Sequence, residues 1–423
     1  MAGRRTRRET IARARRPQTA TVHQSSSMGP SERSTKPTMT APWDQYDQHV
    51  GHVQPELVDS RLNFIVISAP KTGTTWLQDN LVCHKDILVP TKELKYFCTF
   101  WQWYDINWLL ATFAGGEDKC RGDVGGSYML LPTPVIQKIY SLFPELKLLF
   151  VMRDPVERAW SHIRHDYRYR VSGYTDYRGS LEDLSASDIA NDSWLDYYLA
   201  FGDYAASLER WLSAFPSDQF HVRFIEGIQA DPQRVLLEAF GHLGITPSVD
   251  LSDFPLGERV LPGLPVPMPT GLRAYLFHAL QPGLVRLEAL LGKHFGLSVP
   301  AEWRQAPNEA IPGDIAGRPH FAPADDERLI ELLAQQLRHS HLPRLIEQDD
   351  RGYNVLFHQG RFHAVACDAG PLDLHACSDR ELLRHQQEGT CLVGESPIQI
   401  KQRIDAAAAS RHDSPKHDAV ERS

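Results

Sequence analysis

The sequence has few cysteines, and they follow no motif. Its 423 residues include six cysteines, and none of them forms a Cys-x-x-Cys pair. Disulfide frameworks and structural zinc sites normally show paired or dense cysteines, so the sequence disfavours both. We therefore expect a protein of a reducing, cytoplasmic compartment that holds no metal.

The sequence also lacks long apolar runs, and its residues after position 40 carry no excess of basic side chains. No stretch approaches 18 apolar residues, so we expect no transmembrane segment. The first 40 residues hold nine Lys or Arg and two Asp or Glu, which gives this segment +7 and leaves −15 for the rest. Nucleic acid is disfavoured as the main partner of the folded part, because phosphate backbones bind basic surfaces. The sequence does not predict an oligomeric state.

Composition divides the chain into four parts. Residues 1–45 are rich in Arg, Ser and Thr, and residues 405–423 are polar with an alanine run; both predict disorder. A transit peptide and a late translation start are alternatives for the first segment. Residues 46–350 are expected to form the main domain, and residues 351–404 a small appended module.

The appended module shows a hairpin pattern. Val355 and Phe357 precede the Gln359-Gly360 pair, and Phe362 and Ala364 follow it at positions that would lie opposite them in a hairpin. Such alternation around a short turn predicts two antiparallel strands.

Short apolar runs alternate with helical patterns in the main domain. Residues 61–68, 146–152 and 220–225 predict buried strands, and residues 74–81 and 231–243 predict helices. This alternation predicts an α/β fold with a parallel sheet flanked by helices.

A candidate phosphate loop follows the first strand. Residues 68–76 read SAPKTGTTW. A strand, a tight turn and a helix start form an anion site, because backbone N–H groups and the helix dipole converge there. Lys71 adds a positive charge, Gly73 lets the backbone approach closely, and Thr74 and Thr75 add hydroxyl donors. The loop fails as an NTPase motif, since neither its first glycine nor the lysine after Gly73 is present.

A second candidate anion site follows the strand at 146–152. Arg153 stands at the carboxyl end of that strand, Asp154 fits a helix N-cap with Glu157 three residues later, and Ser161 lies on the helix. In a parallel sheet both loops open at the same edge. Two anion sites at one edge suit a nucleotide with phosphates at two positions.

These motifs resemble the sulfotransferase family. PKTGTTW (70–76) is similar to the family's 5′-phosphosulfate loop, and RDPVERAWSHIRHDYR (153–168) to its 3′-phosphate segment. The resemblance covers about residues 63–245. KELKYF (92–97) is similar to the carbohydrate, heparan-type branch, of which this chain looks like a bacterial member.

The resemblance implies the co-substrate and the site residues. The donor would be 3′-phosphoadenosine 5′-phosphosulfate, and the acceptor a hydroxyl or amine, with a carbohydrate preferred among small molecules, lipids and protein tyrosines. Lys71 would stabilise charge on the bridging oxygen, Glu93 would take the acceptor proton, and Arg153 and Ser161 would hold the 3′-phosphate. The expected 5′-phosphosulfate contacts are Lys71, Thr72, Gly73, Thr74, Thr75 and Trp76.

Several alternatives stay open at this point. A P-loop kinase or NTPase is one rival, and a catalytically inactive nucleotide-binding scaffold is another. His162 and His165 are alternative bases. A third nucleotide contact is expected in the C-terminal third, with Arg318 and Arg304 as faint candidates.

Overall fold

The structure is a computed structural model. The residues that it describes are 53–90, 94–98, 101, 105–169, 180–245, 250–258, 265–318, 321–338, 344–358, 361–369, 379–394 and 397–412. Segment 1–45, residues 413–423, and Lys92 and Glu93 lie outside the described residues.

A five-stranded sheet forms the centre of the main domain. Its strands are β1 (Phe64–Val66), β2 (Ile87–Leu88), β3 (Cys120–Val124), β4 (Lys147–Met152) and β5 (Phe220–Phe224). All neighbours are parallel, in the order β2-β3-β1-β4-β5. The expected parallel sheet flanked by helices is confirmed, and the first strand lies at its centre.

Eleven α-helices precede the second sheet in the described part of the chain. They are α1 (Thr74–Leu81), α2 (Ile106–Ala111), α3 (Thr133–Leu142), α4 (Pro155–Tyr169), α5 (Ala186–Ala190), α6 (Leu195–Ala200), α7 (Tyr204–Leu212), α8 (Ile225–Ala230), α9 (Pro232–Leu243), α10 (Leu272–Phe295) and α11 (Asp326–Arg338). No helix in the described ranges is long and apolar enough to cross a bilayer.

The sheet separates two apolar layers. Along β4, Leu148, Phe150 and Met152 belong to the large core cluster, whereas Leu149 and Val151 belong to the smaller one. Successive strand side chains point to opposite faces, so a run that is apolar throughout is buried on both sides. This burial fixes the register of the strands and hence the position of the loops at their carboxyl ends.

A second, antiparallel sheet follows. It comprises β6 (Arg344–Asp350), β7 (Tyr353–His358), β8 (Arg361–Ala366) and β9 (Cys391–Gly394), with helices α12 (Asp379–Gln387) and α13 (Pro397–His412) beside it. Val355 pairs with Ala364 and Phe357 pairs with Phe362, so the predicted hairpin is confirmed. Its Gln-Gly turn lies outside the described residues.

Two expected boundaries need correction. The small sheet begins at Arg344, before the expected module start at residue 351. The strand was missed because RLIEQDD carries four charges and reads as the end of the preceding helix. The disorder expected for 405–423 is wrong for residues 405–412, which continue α13. Their alanine run has high helix propensity.

Candidate active site

The loop after β1 has a special backbone shape. Lys71 has φ 73° and Gly73 has φ 97°, both in the left-handed region. The first hydrogen bond within α1 runs from the N–H of Leu77 to the carbonyl of Gly73 at 3.0 Å. The N–H groups of the turn before Leu77 therefore point along the axis toward the N-terminal end of the helix. Loop and helix together form an anion cradle.

Side chains brace this loop from inside. The Thr72 hydroxyl donates to the carbonyl of Ala69 at 2.8 Å and is fully buried. The Ser68 hydroxyl accepts from the N–H of Val151 at 2.7 Å, which ties the loop to β4. The buried Trp76 indole donates to the carbonyl of Leu256 at 3.0 Å. The side chains of Thr72 and Trp76 thus stabilise the conformation of the loop. Thr72 and Trp76 would therefore bind a ligand through their backbone N–H groups.

The two predicted anion sites meet in space. A guanidinium nitrogen of Arg153 lies 3.3 Å from the carbonyl oxygen of Lys71. The backbone of Arg153 is itself held by the Tyr204 hydroxyl, which donates to its carbonyl at 2.8 Å. Ser161 follows two turns along α4 and is half-buried. The motifs after β1 and β4 therefore border one site at the carboxyl edge of the sheet.

The start of α4 is capped as the sequence predicts. An Asp154 carboxylate oxygen accepts from the N–H groups of Val156 at 2.8 Å and Glu157 at 2.9 Å. Burial raises the pKa of Asp154. The Asp154 carboxylate therefore caps the N-terminus of α4. In a nucleotide kinase, the carboxylate of this segment would instead be needed to bind Mg²⁺.

A polar ladder lies on the buried face of α4. Arg158 lies 3.2 Å from the Nδ1 atom of His162, and the Nε2 atom of His162 lies 3.6 Å from Asp166. Burial is the main cause that lowers the pKa of His162 to about 3, with the charge of Lys71 among the smaller ones. His162 is therefore neutral and packed at neutral pH. His165 is 37% exposed and lies 3.0 Å from Asp166.

A buried aspartate at the same edge escaped the sequence analysis. Asp123 is fully buried on β3, where it pairs with Ile65 of β1. One oxygen accepts from the N–H of Leu94 at 3.1 Å, and the Tyr128 hydroxyl donates to the other. The Leu94 N–H belongs to the peptide bond that follows Glu93. Asp123 thus anchors the chain beside the predicted base, and the signal that could have found it is an acidic residue near a strand's carboxyl end.

The two sequence candidates for a third nucleotide contact, Arg318 and Arg304, have described partners outside the candidate site. Arg318 donates to the carbonyl of Ala190 and to Asn191, and Arg304 lies 3.6 Å from Glu288. Neither has a described contact with the residues of the candidate site. Arg273, which the sequence did not single out, is bonded to Glu157.

Within the described ranges, no group of three or more His, Cys, Asp or Glu side chains is placed to hold a metal ion. The five cysteines in those ranges are not disulfide-bonded.

Comparison with known proteins agrees with this arrangement. Residues 62–253 match the sulfotransferase domain. This part of the chain, a little under half of its length, is similar to the sulfotransferase family. Those residues include the loop after β1, Arg153 and Ser161, so both anion motifs of the candidate site lie within the domain.

Two curated relatives are heparan sulfate enzymes. The chain is 26% identical over 221 residues to a bifunctional heparan sulfate N-deacetylase/N-sulfotransferase of Drosophila melanogaster, which covers 46% of this chain and 21% of that protein. It is 26% identical over 202 residues to bifunctional heparan sulfate N-deacetylase/N-sulfotransferase 3 of Homo sapiens. That match covers 45% of this chain and 23% of the human protein. The match thus spans about a fifth of the length of these relatives.

A solved structure is also similar. A sulfotransferase from Alicyclobacillus acidocaldarius is 26% identical, with a TM-score of 0.46, and the match covers 58% of this chain and 99% of that one.

Proposed function

We propose that this protein is a sulfotransferase that moves the sulfuryl group from 3′-phosphoadenosine 5′-phosphosulfate to a hydroxyl or amine of a carbohydrate acceptor. The observation that carries the proposal is the contact between Arg153 and the carbonyl of Lys71. It brings two anion-binding segments together that are 82 residues apart in the chain, and one nucleotide with a phosphate at each end would use both.

The residues present suit that donor. The left-handed backbone at Lys71 and Gly73 and the start of α1 offer N–H groups to a 5′-phosphosulfate, and the Lys71 ammonium adds a full charge. Thr74 and Thr75 begin the helix and would contribute hydroxyl and backbone donors. Arg153 and Ser161 would bind the 3′-phosphate.

The proposed chemistry rests on charge and position. When bound, the donor supplies an activated sulfuryl group for in-line transfer. Lys71 would stabilise negative charge that develops on the leaving oxygen, and Glu93 would accept the proton of the acceptor. Asp123 would hold the chain next to Glu93 at the edge where Lys71 lies. Such transfer gains mainly from positioning and electrostatics, as phosphoryl transfer does.

A carbohydrate is the acceptor we favour. KELKYF resembles the carbohydrate branch of the family, and the two relatives above are named for heparan sulfate. We also propose a cytoplasmic location, because the six cysteines are few and follow no disulfide or metal-binding motif in the sequence.

The kinase rival is disfavoured by the side chains themselves. The residue after Gly73 is threonine, so the lysine that would bind a β- and γ-phosphate is absent from that position. Asp123 and Asp154, the acidic residues at the ends of β3 and β4, are engaged by Leu94 and Tyr128 and by the α4 backbone. An inactive scaffold is disfavoured because Lys71 and Arg153 are both in place.

Transfer of labelled sulfate tests the proposal. The protein would be incubated with radiolabelled donor and an acceptor panel of glycans, amino sugars and phenols. We expect Lys71→Ala to lower the transfer rate at least a hundredfold through lost charge stabilisation, and Glu93→Gln to lower it comparably.

Two matched controls belong to this experiment. Lys85 is an exposed lysine beyond the far end of α1, and Glu145 is an exposed glutamate before the amino end of β4. Lys85→Ala and Glu145→Gln should keep the rate. Full activity of Glu93→Gln would assign the base elsewhere, and full activity of Lys71→Ala would refute the proposed site.

A further inference from the structure

Two arginines, one from the connection between β4 and α4 and one from α10, share one carboxylate at the border of the candidate site. Glu157 on α4 is bonded to Arg273 through one oxygen, and its other oxygen lies 3.9 Å from Arg153. Arg153 contacts the carbonyl of Lys71 in turn. The carboxylate of Glu157 therefore links Arg273 to Arg153, which borders the anion cradle, although Arg273 lies 120 residues after Arg153.

The position of Arg273 is fixed by the start of α10. Gly271 adopts a left-handed conformation with φ 80°, and Glu309 accepts from the N–H of Gly271 at 3.0 Å and of Ala274 at 3.2 Å. A second tie lies nearby, since Arg164 of α4 donates to the carbonyl of Val266 at 3.3 Å. Helices α4 and α10 also pack against each other.

Among the described residues at this place, guanidinium groups outnumber carboxylates. Arg153, Arg164 and Arg273 bring three positive charges, and Glu157 brings one negative charge. The pKa of Arg164 is lowered, first by burial and then by the charge of Arg153. Asp154, whose carboxylate caps the α4 backbone and interacts with Arg273, adds a second negative charge, so one positive charge remains in excess. Such an excess of guanidinium charge suits a dianion, and guanidinium groups bind phosphate through paired hydrogen bonds.

We propose that Arg273 is the third cation of the donor site and binds the 3′-phosphate together with Arg153 and Ser161. Glu157 holds the two guanidinium groups side by side before the nucleotide arrives. This inference rests on the proposed function, and it replaces Arg318 and Arg304, whose described partners are elsewhere.

The test compares two nucleotides that differ in the 3′-phosphate. Calorimetry would measure the affinity of 3′-phosphoadenosine 5′-phosphate and of adenosine 5′-phosphate for the natural protein and for Arg273→Gln. We expect the substitution to weaken the binding of the first ligand on the order of tenfold or more. The affinity for the second ligand should stay within about twofold of that of the natural protein. Equal affinity of both proteins for the bisphosphate, or equal weakening of both ligands, would overturn the inference.

Arg328 provides the matched control. It is 42% exposed against 43% for Arg273, and it is also bonded to a carboxylate on another helix, Asp196. Arg328→Gln should leave both affinities unchanged. Loss of bisphosphate affinity equal to that of Arg273→Gln would count against a local contact and overturn the inference.

A double substitution separates direct contact from positioning. In a Glu157→Gln background, Arg273→Gln should still weaken the bisphosphate selectively. If that loss disappears, Arg273 acts only through Glu157 and the proposed contact is wrong. A natural protein that binds the two nucleotides equally well would refute the proposed function itself, and this inference with it.

Discussion

At the residue scale, the loop depends on two left-handed residues. Lys71 takes a conformation that non-glycine residues rarely adopt, at an expense of about 1–3 kcal/mol. Such strain persists at functional sites when the surroundings enforce it. Here the hydrogen bonds of Thr72 to Ala69 and of Ser68 to Val151 hold the loop in this conformation.

Gly73→Ala tests this backbone requirement. An added Cβ at Gly73 would meet nothing closer than 3.7 Å, so the penalty comes from φ 97° and not from a clash. We expect a loss of about 1–2 kcal/mol in the free energy of unfolding, together with weaker donor binding, because the loop must change shape.

Gly241→Ala is the control for that substitution. Gly241 lies within α9, where an added Cβ meets nothing within 4 Å. Alanine should stabilise the helix by up to about 1 kcal/mol. Denaturant unfolding of both variants would decide, and equal stability of the two would contradict the backbone argument.

At the element scale, local sequence signals predicted the helices that follow β1 and β4 but not strand β3. Helix α1 spans the predicted residues, and Asp154 caps α4 as expected, because each signal lies within one turn of chain. Strand β3 was missed, since CRGDV is not an apolar run. Its charged residues are satisfied by distant partners: Arg121 donates to the carbonyl of Arg61 at 2.8 Å, and Asp123 accepts from Leu94. No local pattern reveals such pairs.

Asp123→Asn tests the anchor at the carboxyl edge of the sheet. The substitution removes the charge that receives the Leu94 N–H and the Tyr128 hydroxyl, so we expect a loss of about 1–3 kcal/mol in stability. If Asp123 positions the chain at Glu93, the transfer rate at saturating donor should fall at least about tenfold, with the donor affinity unchanged.

Tyr128→Phe serves as the comparison for Asp123→Asn. It removes the hydroxyl bond and leaves the bond to Leu94, so it should lower stability but retain most of the transfer rate. An undiminished rate in folded Asp123→Asn would show that the anchor has no role in catalysis.

At the scale of the whole molecule, the site joins segments that the sequence keeps apart. Lys71 and Arg153 were predictable because each belongs to a compact motif. Arg273 was not, because no motif marks it and only the packing of α10 on α4 brings it to Glu157. The acceptor was read from resemblance alone, since acceptor recognition leaves no compact motif.

The most direct test of the proposed donor site is a crystal structure of the chain with 3′-phosphoadenosine 5′-phosphate. We expect a single nucleotide whose 5′-phosphate accepts hydrogen bonds from the backbone of residues 71–75 and whose 3′-phosphate contacts Arg153. A nucleotide bound away from β1, or one whose 3′-phosphate lies in solvent while Arg153 stays on the carbonyl of Lys71, would contradict it.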